Sequence, residues 1–446
     1  MMFTYCTKKN KKSSDFFIKI SYDIKINEVK MKKQIKNNIL SFFVSCVIMG
    51  ANSVSYAQNT INTTQNTTTQ IQNDATFEEW KAEFRTHALS EGIDESFLDK
   101  MLPKMALLPH VIESDKKQPE FRLTFWDYTD KVFSQKRLKD GRQMMKKYAD
   151  LLNKAEQKYK VPAKYITAFW GLETAYGTYK GNVDTLNALT TLAYDKRRRT
   201  FFTKELVAFL KIMHQEKLTD VKGSWAGAFG HFQFMPTTFV AYAVDGDGDG
   251  KRDIVNSLPD AVESAANYLS KIGWNDAVKW GREVKITQAL NWDDIYDNPI
   301  KPIREWKKQG VHPANGMQWP SSFEFVQARL VLPMGIEGPI FLAYHNYDVV
   351  MKWNRSNLYA LAVGLLSDAL IMGNYHIYTP RKNMPFSYEQ AKEIQELLTQ
   401  KGYYTGTADG ILGRGSRKAI RAYQKDNNLP QDGYATEKLL NKISGI

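Results

Sequence analysis

Apolar side chains recur at helix-like intervals along most of this chain. The spacing starts after Thr76 and continues with interruptions to about Gly373, and few stretches alternate between apolar and polar residues as strands do. The first such helix carries Phe77, Trp80, Phe84 and Leu89. The pattern predicts a mainly α-helical domain over residues 76–375.

One predicted helix places a glutamate on its apolar face. The helix is expected to begin after Val161-Pro162 and to end at Gly177. One stripe of this helix, with i, i+3, i+4, i+7 spacing, contains Ile166, Phe169, Trp170 and Glu173. A carboxyl group pressed against hydrophobic side chains tends to keep its proton near neutral pH, as a general acid must. The alternative is that Glu173 merely ends an amphipathic helix and leans into solvent, as most glutamates do.

The N-terminal segment has the features of an export signal. Basic residues follow Met31, an apolar run covers residues 39–50, and Ser55-Tyr56-Ala57 offers small residues for cleavage. We therefore expect a signal over about residues 31–57 and a mature chain that starts near Gln58. Residues 1–30 are interpreted as an upstream extension from a mis-assigned start, with a cytoplasmic tail before an uncleaved anchor as the alternative.

Charge and cysteine content fit an exported bacterial protein. Residues 1–57 hold ten Lys and three Asp or Glu, so the formal charge of +13 falls to +6 for the rest. That modest basicity suits an anionic polymer, and no dense Lys/Arg stripe indicates nucleic-acid binding. Both cysteines, Cys6 and Cys46, lie in the part to be removed, so no disulfide framework is expected. Lipidation of Cys46 is the alternative.

Two irregular stretches separate the remaining parts of the chain. Residues 58–75 are rich in Asn, Thr and Gln and are predicted to be a polar flexible spacer. Residues 376–387 contain two prolines and two basic residues and are predicted to be a linker. The linker leads to a small three-helix unit over residues 388–446, with turns at Gly402 and at Asp409-Gly410.

A glycine-rich segment follows the glutamate helix by about fifty residues. It runs Gly223-Ser224-Trp225-Ala226-Gly227-Ala228-Phe229-Gly230-His231-Phe232-Gln233-Phe234-Met235-Pro236. Three glycines, an amide, a hydroxyl and several aromatics suit a groove wall that a ligand approaches closely, or a packing loop. His231 is interpreted as a hydrogen-bonded spacer rather than as a base or a metal ligand.

Together the two motifs resemble the membrane-bound lytic murein transglycosylase B family. The matching residues are Gly-x-Glu-Thr-x-Tyr-Gly from Gly171 and Gly-Ser-x-Ala-Gly-Ala-x-Gly-x-x-Gln-Phe-Met-Pro from Gly223. The resemblance covers roughly residues 76–373. It implies a lysozyme-like helical fold and cleavage of the β-1,4 bond between N-acetylmuramic acid and N-acetylglucosamine in peptidoglycan.

The resemblance also implies how the bond is cleaved. Glu173 would protonate the glycosidic oxygen and then, once ionised, take the proton of the muramoyl 6-hydroxyl, which closes a 1,6-anhydro ring without water. No cofactor is expected for catalysis. Near Glu173 the next acidic residue downstream is Asp184, and a distant carboxylate brought close by folding stays open.

The resemblance to this family also implies which residues contact the substrate, at positions of this sequence that match the family's motifs. By the resemblance, the residues that contact the glycan strand are Tyr128, Ser224, Gln233, Tyr268, Trp353, Asn354 and Tyr359. Two positions depart from the expected pattern, since Trp353 and Phe201 stand where tyrosines are expected. Both keep a ring that can stack on a sugar but lack the phenolic hydroxyl. The basic run Arg197–Arg199 is interpreted as a solvated surface, with contact to the peptide stem or the muramoyl carboxylate as the alternative.

An acidic loop between the motifs has the pattern of a calcium-binding site. Three aspartates alternate with glycines in Asp245-Gly246-Asp247-Gly248-Asp249-Gly250, as at the start of an EF-hand-like loop. The twelfth position is Asn256 rather than Glu, and the resemblance implies closure by a later aspartate. The expected Ca²⁺ ligands are Asp245, Asp247, Asp249, the backbone carbonyl of Lys251, and Asp260. We expect the ion to be structural, and an acidic turn without metal is the alternative.

The C-terminal unit resembles the peptidoglycan-binding domain of many cell-wall enzymes, with its Asp-Gly-x-x-Gly loop at Asp409–Gly413. Such a domain would tether the enzyme to its polymer and raise the effective substrate concentration. We therefore expect a monomer in the periplasm of a Gram-negative bacterium that acts on peptidoglycan glycan strands. Association with the outer membrane is left open.

Other function classes fit the sequence less well. The seven histidines form no His-x-x-x-His pair, so a zinc amidase is not indicated. The match Ser114-Asp115-Lys116-Lys117 to a Ser-x-x-Lys motif lies in a charged stretch and is interpreted as chance. A hydrolytic lysozyme-type muramidase and a non-catalytic peptidoglycan-binding scaffold stay as alternatives.

Overall fold

A computed structural model describes residues 76–117, 123–292, 298–373, 376–381, 386–404 and 406–446. The predicted signal and polar spacer lie outside these residues. Within them, no helix is long and apolar enough to span a lipid bilayer.

Most of the residues from 76 to 373 form helices, as the apolar spacing predicts. The helices are α1 (Phe77–Ser90), α2 (Glu95–Met101), α3 (Pro109–Lys117), α4 (Phe125–Val132), α5 (Gln135–Lys147), α6 (Ala149–Tyr159), α7 (Ala163–Thr174), α8 (Thr185–Tyr194), α9 (Arg199–Gln215), α10 (Pro236–Tyr242), α11 (Leu258–Lys271), α12 (Ile303–Lys308), α13 (His345–Trp353) and α14 (Asn357–Met372). A short two-stranded pairing joins β1 (Val183–Asp184) to β2 (Lys222–Gly223).

Helix α7 lies at the centre of this domain. Every residue from Tyr165 to Thr174 is buried, and the helix packs against α14, α5 and α6. It ends at Thr174, earlier than the predicted stop at Gly177, because Ala175 and Tyr176 already adopt left-handed backbone conformations with φ of 49° and 61°. The chain therefore turns away directly after Glu173 and Thr174 instead of continuing for another turn.

A five-stranded antiparallel sheet, which the apolar spacing does not predict, interrupts the helical domain. Its strands are β3 (Gly281–Ile286), β4 (Lys301–Pro302), β5 (Val311–Pro313), β6 (Gln327–Val331) and β7 (Ile340–Tyr344), in the spatial order β4-β6-β7-β3-β5. Four of them are at most five residues long and two contain proline, so they show little alternation. Strand β7 is buried throughout, so its sequence is a short apolar run that does not alternate between apolar and polar residues.

The sheet is fixed to the helices by Trp280, which directly precedes β3. Its side chain is buried, and its Nε1 donates a hydrogen bond to Asp368 Oδ2 on α14 at 2.9 Å. Gly364, one turn earlier on α14, leaves the space that the indole ring fills, because a Cβ at this position would lie 2.5 Å from Trp280 Cε2.

The C-terminal unit consists of α15 (Tyr388–Gln400), α16 (Arg414–Asp426) and α17 (Glu437–Ser444) around its own hydrophobic cluster. The buried Gln395 ties down the Asp-Gly loop, since its amide donates to Asp409 Oδ1 at 3.0 Å and accepts from the Gly410 backbone N–H at 2.8 Å. The three helices that the sequence predicts here are confirmed.

The C-terminal unit and the segment before it touch the helical domain at several points. Backbone N–H groups of Tyr378 and Thr379 donate to the carboxylate of Glu283 at 2.7 and 2.8 Å. Arg381 pairs with Asp130 on α4 at 2.8 Å. In the C-terminal unit, Asp432 Oδ2 accepts a hydrogen bond from the Ile336 backbone N–H at 2.9 Å.

The packing of Trp280 against Gly364 predicts a stability loss for Gly364→Ala. The added methyl group overpacks a rigid ring, and we expect the free energy of unfolding to fall by about 2 kcal/mol. Urea denaturation followed by far-UV circular dichroism measures the loss. Gly415→Ala is the matched control, because its Cβ would meet only Tyr404 at 3.5 Å. Equal stability of the two variants would contradict this packing.

Candidate active site

The Glu173 side chain is buried, with 1% of its surface exposed. This is the environment that the helical spacing predicts, and it rules out the alternative of a glutamate leaning into solvent. Its Oε1 atom accepts a hydrogen bond from Trp353 Nε1 at 3.0 Å and a short one from the hydroxyl of Tyr359. These two donors come from the end of α13 and the start of α14, which follow the sheet in the chain.

Aromatic rings surround the Trp353 indole and hold it against Glu173. Its ring centroid lies 4.5 Å from that of Phe169, 4.8 Å from that of Tyr268 and 5.6 Å from that of Phe234. Phe169 lies one turn before Glu173 on α7, so one helix supplies both the carboxylate and a ring that packs on its donor. The site therefore combines a hydrophobic wall with two hydrogen bonds aimed at one carboxylate oxygen.

Tyr268 on α11 belongs to the same group of rings. It stacks on Tyr242 with centroids 4.4 Å apart, and burial raises the pKa of its hydroxyl to about 12. Because this pKa lies well above physiological pH, the phenol stays protonated and able to donate a hydrogen bond. Tyr268 is half-buried, so part of the residue is exposed to solvent.

The glycine-rich segment is tied to the C-terminal end of α7. Thr174 Oγ1 donates to the His231 carbonyl at 2.8 Å and accepts from the Gly177 backbone N–H at 3.0 Å. Trp170 Nε1 donates to His231 Nδ1 at 3.1 Å. His231 is thus the hydrogen-bonded spacer that the sequence predicts, and it links the two motifs.

Ser224 and Gln233 lie in this segment with their polar groups directed at backbone atoms. Ser224 Oγ accepts from the Ala228 backbone N–H at 3.0 Å, and Gln233 Nε2 donates to the carbonyls of Lys180 and Gly230 at 3.0 and 2.9 Å. Both side chains are buried. The contacts that are seen shape the loop, and the predicted sugar contacts of these two residues stay a prediction.

The other predicted substrate residues differ in where they lie. Asn354 is the C-cap residue of α13, next to Trp353 in the chain, and it is buried. Tyr128 is buried on α4 and belongs to the hydrophobic core of the domain. Tyr359 donates directly to Glu173. The structure thus brings Trp353, Tyr359 and Tyr268 together with the acid.

The Arg197–Arg199 run forms ion pairs and hydrogen bonds within the domain. Arg197 and Arg198 pair with the buried Asp115 at 2.8 and 3.3 Å, and Arg199 donates to the Tyr194 carbonyl at 2.7 Å. The Arg198 guanidinium also lies over the ring of Phe201, 5.4 Å from its centroid. These contacts anchor the start of α9.

The acidic loop brings three carboxylates together. Oxygen atoms of Asp245, Asp247 and Asp249 lie within 4.8 Å of one another. Hydrogen bonds lower the pKa of Asp245, and the bond from the Gly250 backbone N–H has the largest effect. The Asp245 carboxyl group is therefore ionised at neutral pH. Carboxylate oxygens grouped in this way are the donors that Ca²⁺ prefers.

Asp260 has a different role in the same loop. It is fully buried, and its two oxygens accept hydrogen bonds from the backbone N–H groups of Gly246 at 2.8 Å and Asp253 at 2.6 Å. Burial raises the pKa of Asp260. Asp260 thus holds the two ends of the loop together, whereas the Lys251 backbone N–H donates to Asp249 Oδ1 at 2.8 Å. As ligands, Lys251 and Asp260 stay predictions.

Comparison with known proteins decides the family. A family model described as Transglycosylase SLT domain matches residues 76–368, and a model for a peptidoglycan binding domain matches residues 387–443. The first match covers well over half of the chain. The chain belongs to the SLT transglycosylase family.

Individual relatives place it with the B type of lytic transglycosylase. Membrane-bound lytic murein transglycosylase B of Escherichia coli K12 is 32% identical over 251 residues, which are 55% of this chain and 67% of that protein. The crystal structure of SltB3 from Pseudomonas aeruginosa in complex with NAG-anhNAM-pentapeptide is 40% identical, with a TM-score of 0.76 over 83% of this chain and 100% of that chain. The resemblance inferred from the two motifs is confirmed.

A more distant structure was determined with calcium. The Escherichia coli lytic transglycosylase Slt35 in complex with calcium is 28% identical, with a TM-score of 0.56 over 66% of this chain and 93% of that chain. These likenesses also confirm the lysozyme-like helical fold that the motifs imply.

The half-buried His231 imidazole predicts a dependence of stability on pH. Burial lowers its pKa to about 4, so between pH 6.5 and 4 the unfolded chain binds a proton that the folded protein does not. The free energy of unfolding should therefore fall as the pH drops through this range, by up to about 3 kcal/mol from this group.

Urea denaturation between about pH 7 and about pH 4.5 tests this linkage. His231→Gln keeps an acceptor for Trp170 and should show a flatter pH profile than the wild type. His87→Gln, at an exposed position on α1, is the control and should keep the wild-type profile. A wild-type profile in His231→Gln would show that this imidazole does not contribute.

Proposed function

We propose that this protein is a lytic transglycosylase that cleaves the β-1,4 bond between N-acetylmuramic acid and N-acetylglucosamine in peptidoglycan and forms 1,6-anhydro-muramoyl ends. The observation that carries the proposal is the buried carboxyl group of Glu173. One of its oxygens accepts hydrogen bonds from both Trp353 and Tyr359. The relatives named above are lytic transglycosylases, and one of them was crystallised with NAG-anhNAM-pentapeptide.

In the first step Glu173 acts as an acid. It gives its proton to the glycosidic oxygen, the bond from muramoyl C1 to this oxygen breaks, and the N-acetylglucosamine part leaves with a free 4-hydroxyl. The positive charge that develops at C1 is stabilised by the acetamido carbonyl of the substrate. The Trp353 and Tyr359 donors stabilise the negative charge that remains on Glu173.

In the second step the same residue acts as a base. The Glu173 carboxylate takes the proton of the muramoyl 6-hydroxyl while O6 bonds to C1, which closes the anhydro ring and restores the acid. No water is consumed. A hydrolytic muramidase usually needs a second carboxylate that activates water or forms a covalent intermediate.

The buried carboxylates of the described residues support a single catalytic acid. Besides Glu173 they are Asp115, Glu205, Glu216, Asp260 and Glu263. Asp115 binds two arginines, Glu205 accepts from Thr237, Glu216 pairs with Arg252, Asp260 holds backbone N–H groups, and Glu263 pairs with Lys154 and Lys158. Asp184 caps α8 by accepting from the Asn187 backbone N–H at 2.8 Å. Each of these carboxylates therefore makes contacts within the protein that stabilise the fold.

Calcium is proposed as a structural ion of the acidic loop. The clustered carboxylates of Asp245, Asp247 and Asp249 fit a hard divalent cation, and Lys251 and Asp260 are the further ligands expected from the sequence. The His231 backbone N–H donates to the Ile254 carbonyl just after this loop, at 3.1 Å. An ion there would steady the glycine-rich segment without taking part in bond cleavage.

Export to the periplasm completes the proposal. It is supported by the signal pattern over residues 31–57 and by the two family models, which concern cell-wall enzymes and their binding domains. The C-terminal domain would keep the enzyme on its polymer. Association with the outer membrane belongs to the same proposal, and the alternative of a non-catalytic scaffold is an outcome of the test below.

Glu173→Gln tests the acid. We expect residues 58–446 to release fragments that end in 1,6-anhydro-muramic acid from purified sacculi, whereas Glu173→Gln binds sacculi but lowers release at least about a thousandfold, because an amide does not donate the proton. Mass spectrometry measures the products. Reducing ends would indicate a hydrolase, and no release by the wild type would favour the scaffold.

Thermal unfolding tests the ion. After EDTA treatment, millimolar Ca²⁺ should raise the Tm of the protein by about 5 °C, since an ion that binds only the folded state stabilises it. Asp249→Asn should lose most of this shift, whereas Asp276→Asn, an exposed aspartate outside the loop, should keep it. An unchanged Tm of the wild type would contradict a calcium site.

A further inference from the structure

Trp353 is buried next to the catalytic acid and exposes little surface to a ligand. Only 6% of the residue is exposed, and its Nε1 points at Glu173 Oε1 at 3.0 Å. The family resemblance implies that this residue contacts the substrate, as a ring that stacks on sugar. Its burial and its hydrogen bond indicate a different role.

The chemistry of the donor decides what that role is. An indole N–H only donates, whereas a phenol both donates and accepts. Glu173 Oε1 takes the Trp353 N–H and the Tyr359 hydroxyl. A proton on Oε1 would force the Tyr359 hydroxyl to turn from donor to acceptor and would leave the Trp353 N–H on a hydroxyl oxygen, which accepts more weakly than a carbonyl oxygen. The acidic proton is therefore favoured on the other oxygen, Oε2.

We propose that Trp353 is a positioning residue, which orients the Glu173 carboxyl group so that Oε2 carries the proton that is transferred. This inference rests on the proposed function of Glu173 as the acid. It adds which oxygen delivers the proton and which side chain selects it.

The surroundings of Trp353 prevent the indole from turning away. Phe169 packs on it from α7, Phe234 from the glycine-rich segment and Tyr268 from α11. The donor is thus fixed by three parts of the domain, and the acid and Phe169 belong to one rigid helix. Such a preorganised donor needs no rearrangement when negative charge develops on the carboxylate.

The identity of the residue fits this role. The family resemblance leads one to expect tyrosine before Asn354, and this chain has tryptophan. A tyrosine hydroxyl would be able to accept a proton from the acid as well as donate to it. Tryptophan removes that ambiguity at position 353, because its N–H favours Oε1 as the carbonyl oxygen whichever way the Tyr359 hydroxyl turns.

Steady-state kinetics on soluble glycan oligomers, with Trp353→Phe, test the proposal. Phenylalanine keeps an aromatic ring but has no N–H. We expect kcat to fall about tenfold to a hundredfold, as for the loss of a hydrogen bond to a charged group, with KM within about twofold of the wild type. A rise in KM with kcat unchanged would overturn the proposal in favour of a substrate contact.

Trp280→Phe is the matched control. It also removes a buried indole that donates to a carboxylate, Asp368 Oδ2 at 2.9 Å, but this carboxylate is not the acid. We expect both kinetic constants of this variant to stay near the wild-type values. A loss of kcat equal to that of Trp353→Phe would mean that general destabilisation explains both, and would overturn the proposal.

Benzothienylalanine at position 353 separates the N–H group from the shape of the ring. This amino acid keeps the bicyclic outline and replaces the N–H by sulfur, so it does not donate. A kcat as low as that of Trp353→Phe supports positioning by the hydrogen bond, whereas wild-type kcat would overturn it. The acid role is judged separately, because it fails only if Glu173→Gln keeps its activity.

Discussion

The active site depends on two hydrogen bonds that Trp353 and Tyr359 donate to one oxygen of Glu173. A carboxyl group inside a protein is strongly destabilised unless its polar atoms find partners. These partners come from α13 and α14, which follow Glu173 by 180 and 186 residues in the chain. The acid therefore acquires its environment only when the whole domain has folded, and the sheet between these parts sets where α13 begins.

Most other motif residues build the frame that supports the acid. Thr174 and His231 join α7 to the glycine-rich segment by hydrogen bonds. Gly177 leaves room for the His231 ring, since a Cβ there would lie 2.5 Å from His231 Cε1. The family motifs thus contain one reactive group and a set of residues that fix its position. The same segment meets the acidic loop next to Ile254, so a structural ion and the acid share one support.

The sequence allowed the helical architecture and the buried state of Glu173 to be predicted, because both depend on local spacing. The predicted position of the end of α7, at Gly177, was wrong. Ala175 and Tyr176 adopt left-handed conformations that tertiary packing imposes and that their residue types do not predict. The sheet was missed because its strands are short and nearly without alternation. The hydrogen bond from Trp353 to Glu173 joins residues far apart in the chain, and a single sequence gives no signal for such a pair.

Digestion of sacculi in water enriched in ¹⁸O tests the central claim, that one carboxyl group cleaves the bond without water. The account predicts muramoyl ends that are one water lighter than hydrolysis products and that contain no ¹⁸O. Muramoyl ends that carry ¹⁸O at the cleaved carbon from the start of the reaction would contradict it, since water would then be the nucleophile.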